Sequence, residues 1–289
     1  PISISACSRY FPRPSSVLII NIQGNSSRSL YCLFLFSPVQ CSQRQTSAQA
    51  ICDERKNKMK KIGILGGISA ASTVQYYNKI LDLYYEIKKD YYYPEICIES
   101  LNFQYFTDFE NRNDMDGYKK YIMKGIRNLE SAGSDIIIMS ANSPHSVFHA
   151  IEKETSVPML SIVDSVGKYA RKNKMKKLLL TGIKYTMQGS FYRDELKSQG
   201  IEVISPSDGD QDIINHIIFD ELARNNIKAS SQERFLSIVE KYSARYSLDG
   251  VILGCTELPM LAGTITGPVP FIDSLAIHCA DTLHYVLEI

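Results

Sequence analysis

The chain has 289 residues, 44% of them hydrophobic and 22% charged, with 32 Lys+Arg against 31 Asp+Glu. A formal charge of +1 gives no global attraction to nucleic acid or to an anionic membrane. The longest apolar runs, such as Ile136-Ile137-Ile138-Met139, are strand-sized, far short of the ~20 residues that span a bilayer, which excludes an integral membrane protein.

Along the chain, composition changes first near residue 58. Residues 1–58 contain no Met, reach their first acidic residue at Asp53, and hold four of the seven cysteines: Cys7, Cys32, Cys41 and Cys52. Three origins fit this segment: an organelle transit peptide, a disordered extension, or upstream sequence translated in frame. The third is preferred, because Met59-Lys60-Lys61 running into Ile62-Gly63-Ile64-Leu65 looks like a native amino terminus. Without residues 1–58 the balance is 25 basic to 29 acidic, and Cys97, Cys255 and Cys279 remain. An odd number of cysteines with no CxxC pair points to neither a disulfide framework nor a zinc site, so the expectation is no metal and a reducing, cytoplasmic setting, or an organelle if residues 1–58 are a transit peptide.

From Met59 onward short apolar runs alternate with amphipathic ones. Strands are expected at Lys61–Leu65, Ile96–Leu101, Ile136–Met139, Met159–Ile162, Lys177–Leu180, Ile201–Ile204, Gly250–Leu253 and Phe271–Ile272. Helices are expected at Ser72–Lys88, Tyr118–Ala132, Asp210–Asn225 and Gln232–Tyr246, where apolar residues recur near a 3.6-residue period. This alternation predicts an α/β fold of parallel sheets flanked by helices. A rough internal duplication divides it into two similar lobes, residues 59–164 and 165–269, with 270–289 packing back on the first and the active site in the cleft between them. In each half a helix leads into a strand and then a polar loop: Ser140-Ala141-Asn142-Ser143-Pro144-His145 in the first, Gly254-Cys255-Thr256-Glu257-Leu258-Pro259 in the second. Both loops follow strand carboxyl ends, where open α/β sheets bind ligands.

Cys255 follows an apolar strand and Gly254 and precedes Thr256 and Glu257, a setting in which main-chain N–H groups can stabilise a thiolate. The residues alone leave two readings, a reactive thiol or a buried structural cysteine. Ser143-Pro144 resembles a helix N-cap followed by proline, so Asn142 and Ser143 offer donors to a carboxylate, with plain capping as the alternative. His145 reads as an acid/base or as a helix-surface residue. The turn Gly63-Ile64-Leu65-Gly66-Gly67-Ile68-Ser69 fits neither GxGxxG nor GxxxxGK[ST], so a glycine turn presenting Ser69, Ser72 and Thr73 to a small anion is preferred to a nucleotide site. The tyrosines at 91–93 and the lysines at 172–177 read as surface or packing features.

Together these segments resemble the aspartate/glutamate racemase family. The opening Gly66-Gly67-Ile68-Ser69 with Ser72-Thr73, the loop Ala141-Asn142-Ser143-Pro144-His145, the stretch Leu180-Thr181-Gly182-Ile183-Lys184-Tyr185-Thr186-Met187 and above all Leu253-Gly254-Cys255-Thr256-Glu257-Leu258-Pro259 are similar to its motifs. The resemblance implies a cofactor-independent amino-acid racemase acting on aspartate, glutamate or a similar small substrate, with a cysteine from each lobe flanking the substrate α-carbon. It implies Cys255 as acid/base, and Ser69, Thr73, Asn142, Ser143, Lys184, Thr256 and Glu257 as substrate-binding positions. The family often forms dimers, so a homodimer is among the expectations. This chain departs from the two-cysteine pattern: the first-lobe base position holds Ala141, leaving Ser143, His145 or a water as its replacement. That departure raises two alternatives, a single-cysteine decarboxylase, isomerase or lyase of a small carboxylate, and a non-catalytic carboxylate-binding homologue.

Overall fold

The computed structural model describes residues 59–263 and 265–289, together with the backbone of two strands, β1 (Val17–Ile22) and β2 (Leu30–Leu35), which pair antiparallel. Pro1–Lys58 and Met59–Ile289 form two units. The expectations for residues 1–58 otherwise lie outside the described residues.

In the second unit the chain runs β3 (Ile62–Gly66), α1 (Ala70–Lys88), β4 (Ile96–Ser100), α2 (Phe103–Arg112), α3 (Met115–Ser131), β5 (Ile136–Met139), a 3-10 turn (Ser143–Val147), α4 (Phe148–Glu152) and β6 (Met159–Leu160). It continues through α5 (Ile162–Lys172), β7 (Lys177–Gly182), α6 (Lys184–Gln188), α7 (Phe191–Ser198), β8 (Glu202–Ile204), α8 (Asp208–His216), α9 (Ala229–Tyr246), β9 (Gly250–Gly254), α10 (Leu258–Ala262), β10 (Phe271–Asp273) and α11 (Ser274–Leu287). Two four-stranded parallel sheets result, ordered β4-β3-β5-β6 and β8-β7-β9-β10, the same topology twice.

The apolar strands are explained by having both faces covered, with side chains alternating between them. Ile62, Ile64, Ile136 and Ile138 point to one side of the first sheet and Leu65, Ile137 and Met139 to the other. In the second sheet Leu178, Leu180 and Ile252 take one face and Leu179, Val251 and Leu253 the other. At the carboxyl end of β3 the chain turns sharply through Gly67, whose φ is +82°, and a Cβ there would lie 2.0 Å from the Leu101 carbonyl oxygen. Only glycine fits that approach.

The tail serves both lobes. β10 is the edge strand of the second sheet, paired with β9, whereas α11 buries Leu275, Cys279 and Val286 against Ile62, Tyr76 and Ile80 of the first lobe. The Asp273 side chain caps α11 by accepting from the Ala276 N–H at 3.0 Å. The helix expected over Asp210–Asn225 is regular only to His216, after which a π turn (Ile217–Glu221) and a 3-10 turn (Leu222–Arg224) follow. Glu221 is buried there, accepting from Ser231 at 2.6 Å and from Lys228 at 3.1 Å. Among the described residues no helix is long and apolar enough to cross a membrane.

Candidate functional site

Four loops leave the carboxyl edges of β3, β5, β7 and β9. In the second lobe Gly182 and Gly254 end adjacent paired strands; a Cβ on Gly182 would meet the Gly254 carbonyl oxygen at 2.8 Å, so small residues let β7 and β9 run close right up to Cys255.

Cys255 is half-buried, and its thiol donates to Glu257 Oε2 at 2.9 Å. Burial pushes the thiol pKa well up, and the adjacent Glu257 carboxylate pushes the same way; the main-chain N–H groups of Glu257 and Thr256 oppose both by favouring the thiolate. Glu257 is the hub. Its Oε2 also accepts from Thr256 Oγ1 at 2.9 Å, and its Oε1 accepts from Ser69 Oγ of the first lobe at 3.1 Å. Ser69 in turn caps α1, accepting from the Ser72 N–H at 3.2 Å. A hydrogen-bonded chain thus crosses from the α1 amino terminus to the thiol.

Thr73 is buried and fixes the glycine turn, its hydroxyl accepting from the Gly67 N–H at 3.0 Å and donating to the Ser69 carbonyl at 3.0 Å. The sequence reading offered it to a ligand; here its hydroxyl is taken by the backbone.

The loop after β5 differs more from expectation. It forms a five-residue 3-10 turn with Asn142 at the cap position, and Asn142 makes no capping bond. Instead Asn142 is 4% exposed and ties the lobes together: Oδ1 accepts from Tyr192 OH at 2.7 Å and Nδ2 donates to Ser274 Oγ at 3.3 Å. Ser143 is buried within hydrogen-bonding reach of Glu110 and Tyr118. The Ala141 methyl joins the first-lobe core with Ile68, Met139 and Phe148.

His145 must be corrected as an acid/base candidate. Its Nε2 accepts from the Ile162 N–H at 3.1 Å, which leaves Nδ1 to donate to the Ala141 carbonyl at 3.0 Å. Both nitrogens are committed to backbone, and burial, with His278 nearby, lowers its pKa to about 3, so the ring stays neutral. Lys184, expected as a substrate-binding position, has its ammonium already engaged. Its side chain is 40% exposed and its ammonium pairs with Asp212 at 2.6 Å, on the second lobe's own surface.

Sequence reasoning missed several groups that the fold brings to these loops. Tyr192 and Ser274 hold Asn142. Tyr185 of the second lobe donates to Ser146 Oγ of the first at 3.0 Å. Glu110 accepts from Tyr118 OH at 3.2 Å. Tyr185 and Tyr192 lay in or beside a quoted motif, whereas Glu110 sits on a helix with one buried residue and carried no pattern. Among the described residues no group of three His, Cys, Asp or Glu side chains is arranged to hold a metal ion.

This duplicated fold, with LGCTELP at a strand end, can be set beside known proteins. Residues 65–282 match the sequence model of Asp/Glu/Hydantoin racemases. The chain belongs to this family. It is 31% identical over 225 residues to the broad specificity amino-acid racemase RacX of Bacillus subtilis (strain 168), covering 77% of this chain and 96% of RacX. It resembles the crystal structure of an aspartate racemase homologue from Pyrococcus horikoshii OT3, with 40% identity and a TM-score of 0.72 over 79% of this chain and all of that one. Picrophilus torridus aspartate racemase matches with 26% identity and a TM-score of 0.63 over 78% and 93% of the two chains. As a member of this racemase family the chain is an enzyme of the isomerase class.

Proposed function

We propose that the protein is an amino-acid racemase in which Cys255 exchanges the α-proton. The observation that carries this reading is the Cys255–Glu257–Ser69 chain: a thiol bonded to a carboxylate that is itself held by the opposite lobe. A high thiol pKa makes Cys255 a poor base by itself. Glu257 lies where it can receive the thiol proton, so that sulfur is a thiolate when it meets Cα–H, becomes thiol on taking that proton, and is thiolate again when it gives a proton up. Inversion then needs a proton delivered to the opposite face of Cα, from water in place of a first-lobe cysteine, while the pair releases to solvent the proton it took. Donors must then stabilise the charge that develops on the substrate carboxylate, a role for the N–H groups at the Thr256–Glu257 turn and the α1 amino terminus. No step is routed through a cofactor. A second reading, a single-cysteine decarboxylase or lyase, is favoured by one observation: at the first-lobe base position stands Ala141, whose methyl is packed in the core.

Incubating the protein with L-amino acids in deuterium oxide tests both. Deuterium at Cα together with falling optical rotation supports the racemase; carbon dioxide release without Cα exchange of the starting amino acid moves the assignment to a decarboxylase. Thermal stabilisation by a carboxylate with no turnover would reduce the protein to a binding homologue.

A further inference from the structure

The chain crosses between the lobes after β6 and again after β10, and the turn that follows β5 is tied to both crossings. β6 of the first sheet leads into α5, whose Ile162, Val163 and Val166 pack in the core of the second sheet, and β10 of the second sheet leads into α11 on the first lobe. His145 accepts from the Ile162 N–H at the first crossing, and Asn142 donates to Ser274 Oγ at the second. The Asn142 contacts form one directional series. Tyr192 OH of α7 donates to Asn142 Oδ1 at 2.7 Å, Asn142 Nδ2 donates to Ser274 Oγ at 3.3 Å, and Ser274 Oγ gives its own proton to the Leu253 carbonyl at 2.7 Å. Leu253 stands two residues before Cys255, on the strand whose end presents the thiol. All three side chains are buried, so their polar groups face protein.

We propose that Asn142 is a positioning residue and not a substrate ligand: with Tyr192 and Ser274 it fixes how the turn after β5 stands against the Cys255 loop, and so sets the rate of α-proton transfer, not the binding of substrate. The proposal rests on the racemase reading and adds to it residues that act without touching substrate. A buried polar series of this kind has one arrangement that satisfies all its members. The Ser274 proton is committed to Leu253, so its oxygen must accept, which orients the Asn142 amide and leaves Oδ1 for Tyr192. Sliding one lobe against the other would strand a buried donor or acceptor, so the two loops are held at one separation. Proton transfer responds steeply to that separation, a shift of ~1 Å costing up to about 10²-fold. Substrate contacts made by groups outside the series survive its loss, which separates the effect on kcat from that on KM.

The test compares the full chain with its Tyr192→Phe, Ser274→Ala and Asn142→Ala variants. Cα–deuterium exchange is followed by proton NMR for L-alanine, L-lysine, L-aspartate and L-glutamate, with rates taken per folded protein from circular dichroism at the assay temperature. Tyr192→Phe and Ser274→Ala keep Asn142 in place and remove one link each. Each should lower kcat by about tenfold or more while KM moves less than about threefold. Removing a second link, in the Tyr192→Phe, Asn142→Ala double variant, should cost little beyond the larger single loss, because the links act as one unit. Parent kcat in either single-link variant overturns the proposal. A KM raised about tenfold in Asn142→Ala would then make Asn142 a substrate ligand, and an unchanged KM would leave the series to stability alone. Both results leave the racemase standing. Exchange with none of the four amino acids in the parent overturns the racemase reading, and the proposal with it.

Discussion

Lowering the pH from about 7.5 to about 5 should destabilise the Met59–Ile289 unit by ~4 kcal/mol, through two histidines that have no part in the chemistry. His145 and His278 are buried, their rings 5.9 Å apart, and both are held neutral by fixed partners. His278 donates from Nε2 to the Leu160 carbonyl at 3.1 Å, and its Nδ1 accepts from Tyr76 OH at 2.9 Å. Burial lowers the pKa from an ordinary 6.5 to about 3 for His145 and about 4 for His278. At pH 5 the unfolded chain therefore binds a proton at each ring and the folded protein binds none, so stability is complete above about pH 6.5 and declines as the pH falls towards the folded values. Each ring stands about 1.5 pH units below its unfolded pKa at that point, which at ~1.36 kcal/mol per unit is ~2 kcal/mol, or ~4 for the pair. Glu110, whose pKa is raised by burial, acts with the opposite sign and trims this figure. Urea unfolding at the two pH values measures the difference directly, and His145→Gln should remove about half of it, ~2 kcal/mol, whatever the variant's own stability. Equal unfolding free energies at pH 7.5 and 5, within ~1 kcal/mol, would refute the assignment of both rings as neutral structural groups.

Three further substitutions test the site. Cys255→Ser should lower kcat by at least ~10²-fold, and activity within a few-fold of the parent would remove this residue from the mechanism. Glu257→Gln should lower kcat on a similar scale and yet shift the pH profile of Cys255 alkylation downward, since the carboxylate that raises the thiol pKa is gone; an unshifted profile would separate the two groups. Tyr192→Phe should leave the buried Asn142 Oδ1 without its donor and cost ~1–3 kcal/mol in urea unfolding, so a change below ~0.5 would mean that the interlobe tie carries little.

Much of the fold was legible because its strands are buried on both faces. A run such as Ile136–Met139 divides its side chains between two cores and so must be apolar throughout, and the inner strands β3, β5, β7 and β9 are buried along nearly their whole length, whereas the edge strands β4 and β8 are partly exposed and carry Glu99 and Glu202. The helices were less visible for the converse reason. α11 lies between the first lobe and α5, and its buried half includes the polar Ser274, His278 and Thr282, which hides the apolar stripe expected of a surface helix. α2 has one buried residue, Phe106, too few to set a period. In the site, motif order located the loops but not the partners of their side chains. His145 and Asn142 look equally free in a sequence; the first is closed off by the Ile162 N–H and the Ala141 carbonyl, the second by Tyr192 and Ser274, contacts spanning 4 to 132 residues of chain. Nothing local distinguishes a polar side chain that meets a ligand from one that joins two lobes.

The sharpest test of one-cysteine chemistry lies at Ala141. Its exposure of 9% and its place among Ile68, Met139 and Phe148 mean that a larger side chain must either displace those neighbours or turn towards the cleft. A thiol adds one heavy atom, so Ala141→Cys should fold at a cost of no more than ~1–3 kcal/mol, the usual range for overpacking a core position. In the parent, proton exchange should be lopsided, one enantiomer losing its α-proton faster because a thiol meets only one face of Cα. If the new sulfur turns into the cleft opposite Cys255, both faces are served, and exchange of the slower enantiomer should rise towards that of the faster, most of all at pH values where both thiols cycle between protonation states. A folded Ala141→Cys protein with no gain, beside a parent that exchanges the α-proton of neither enantiomer, would set racemisation aside and leave Cys255 as the lone proton donor of a decarboxylase or lyase.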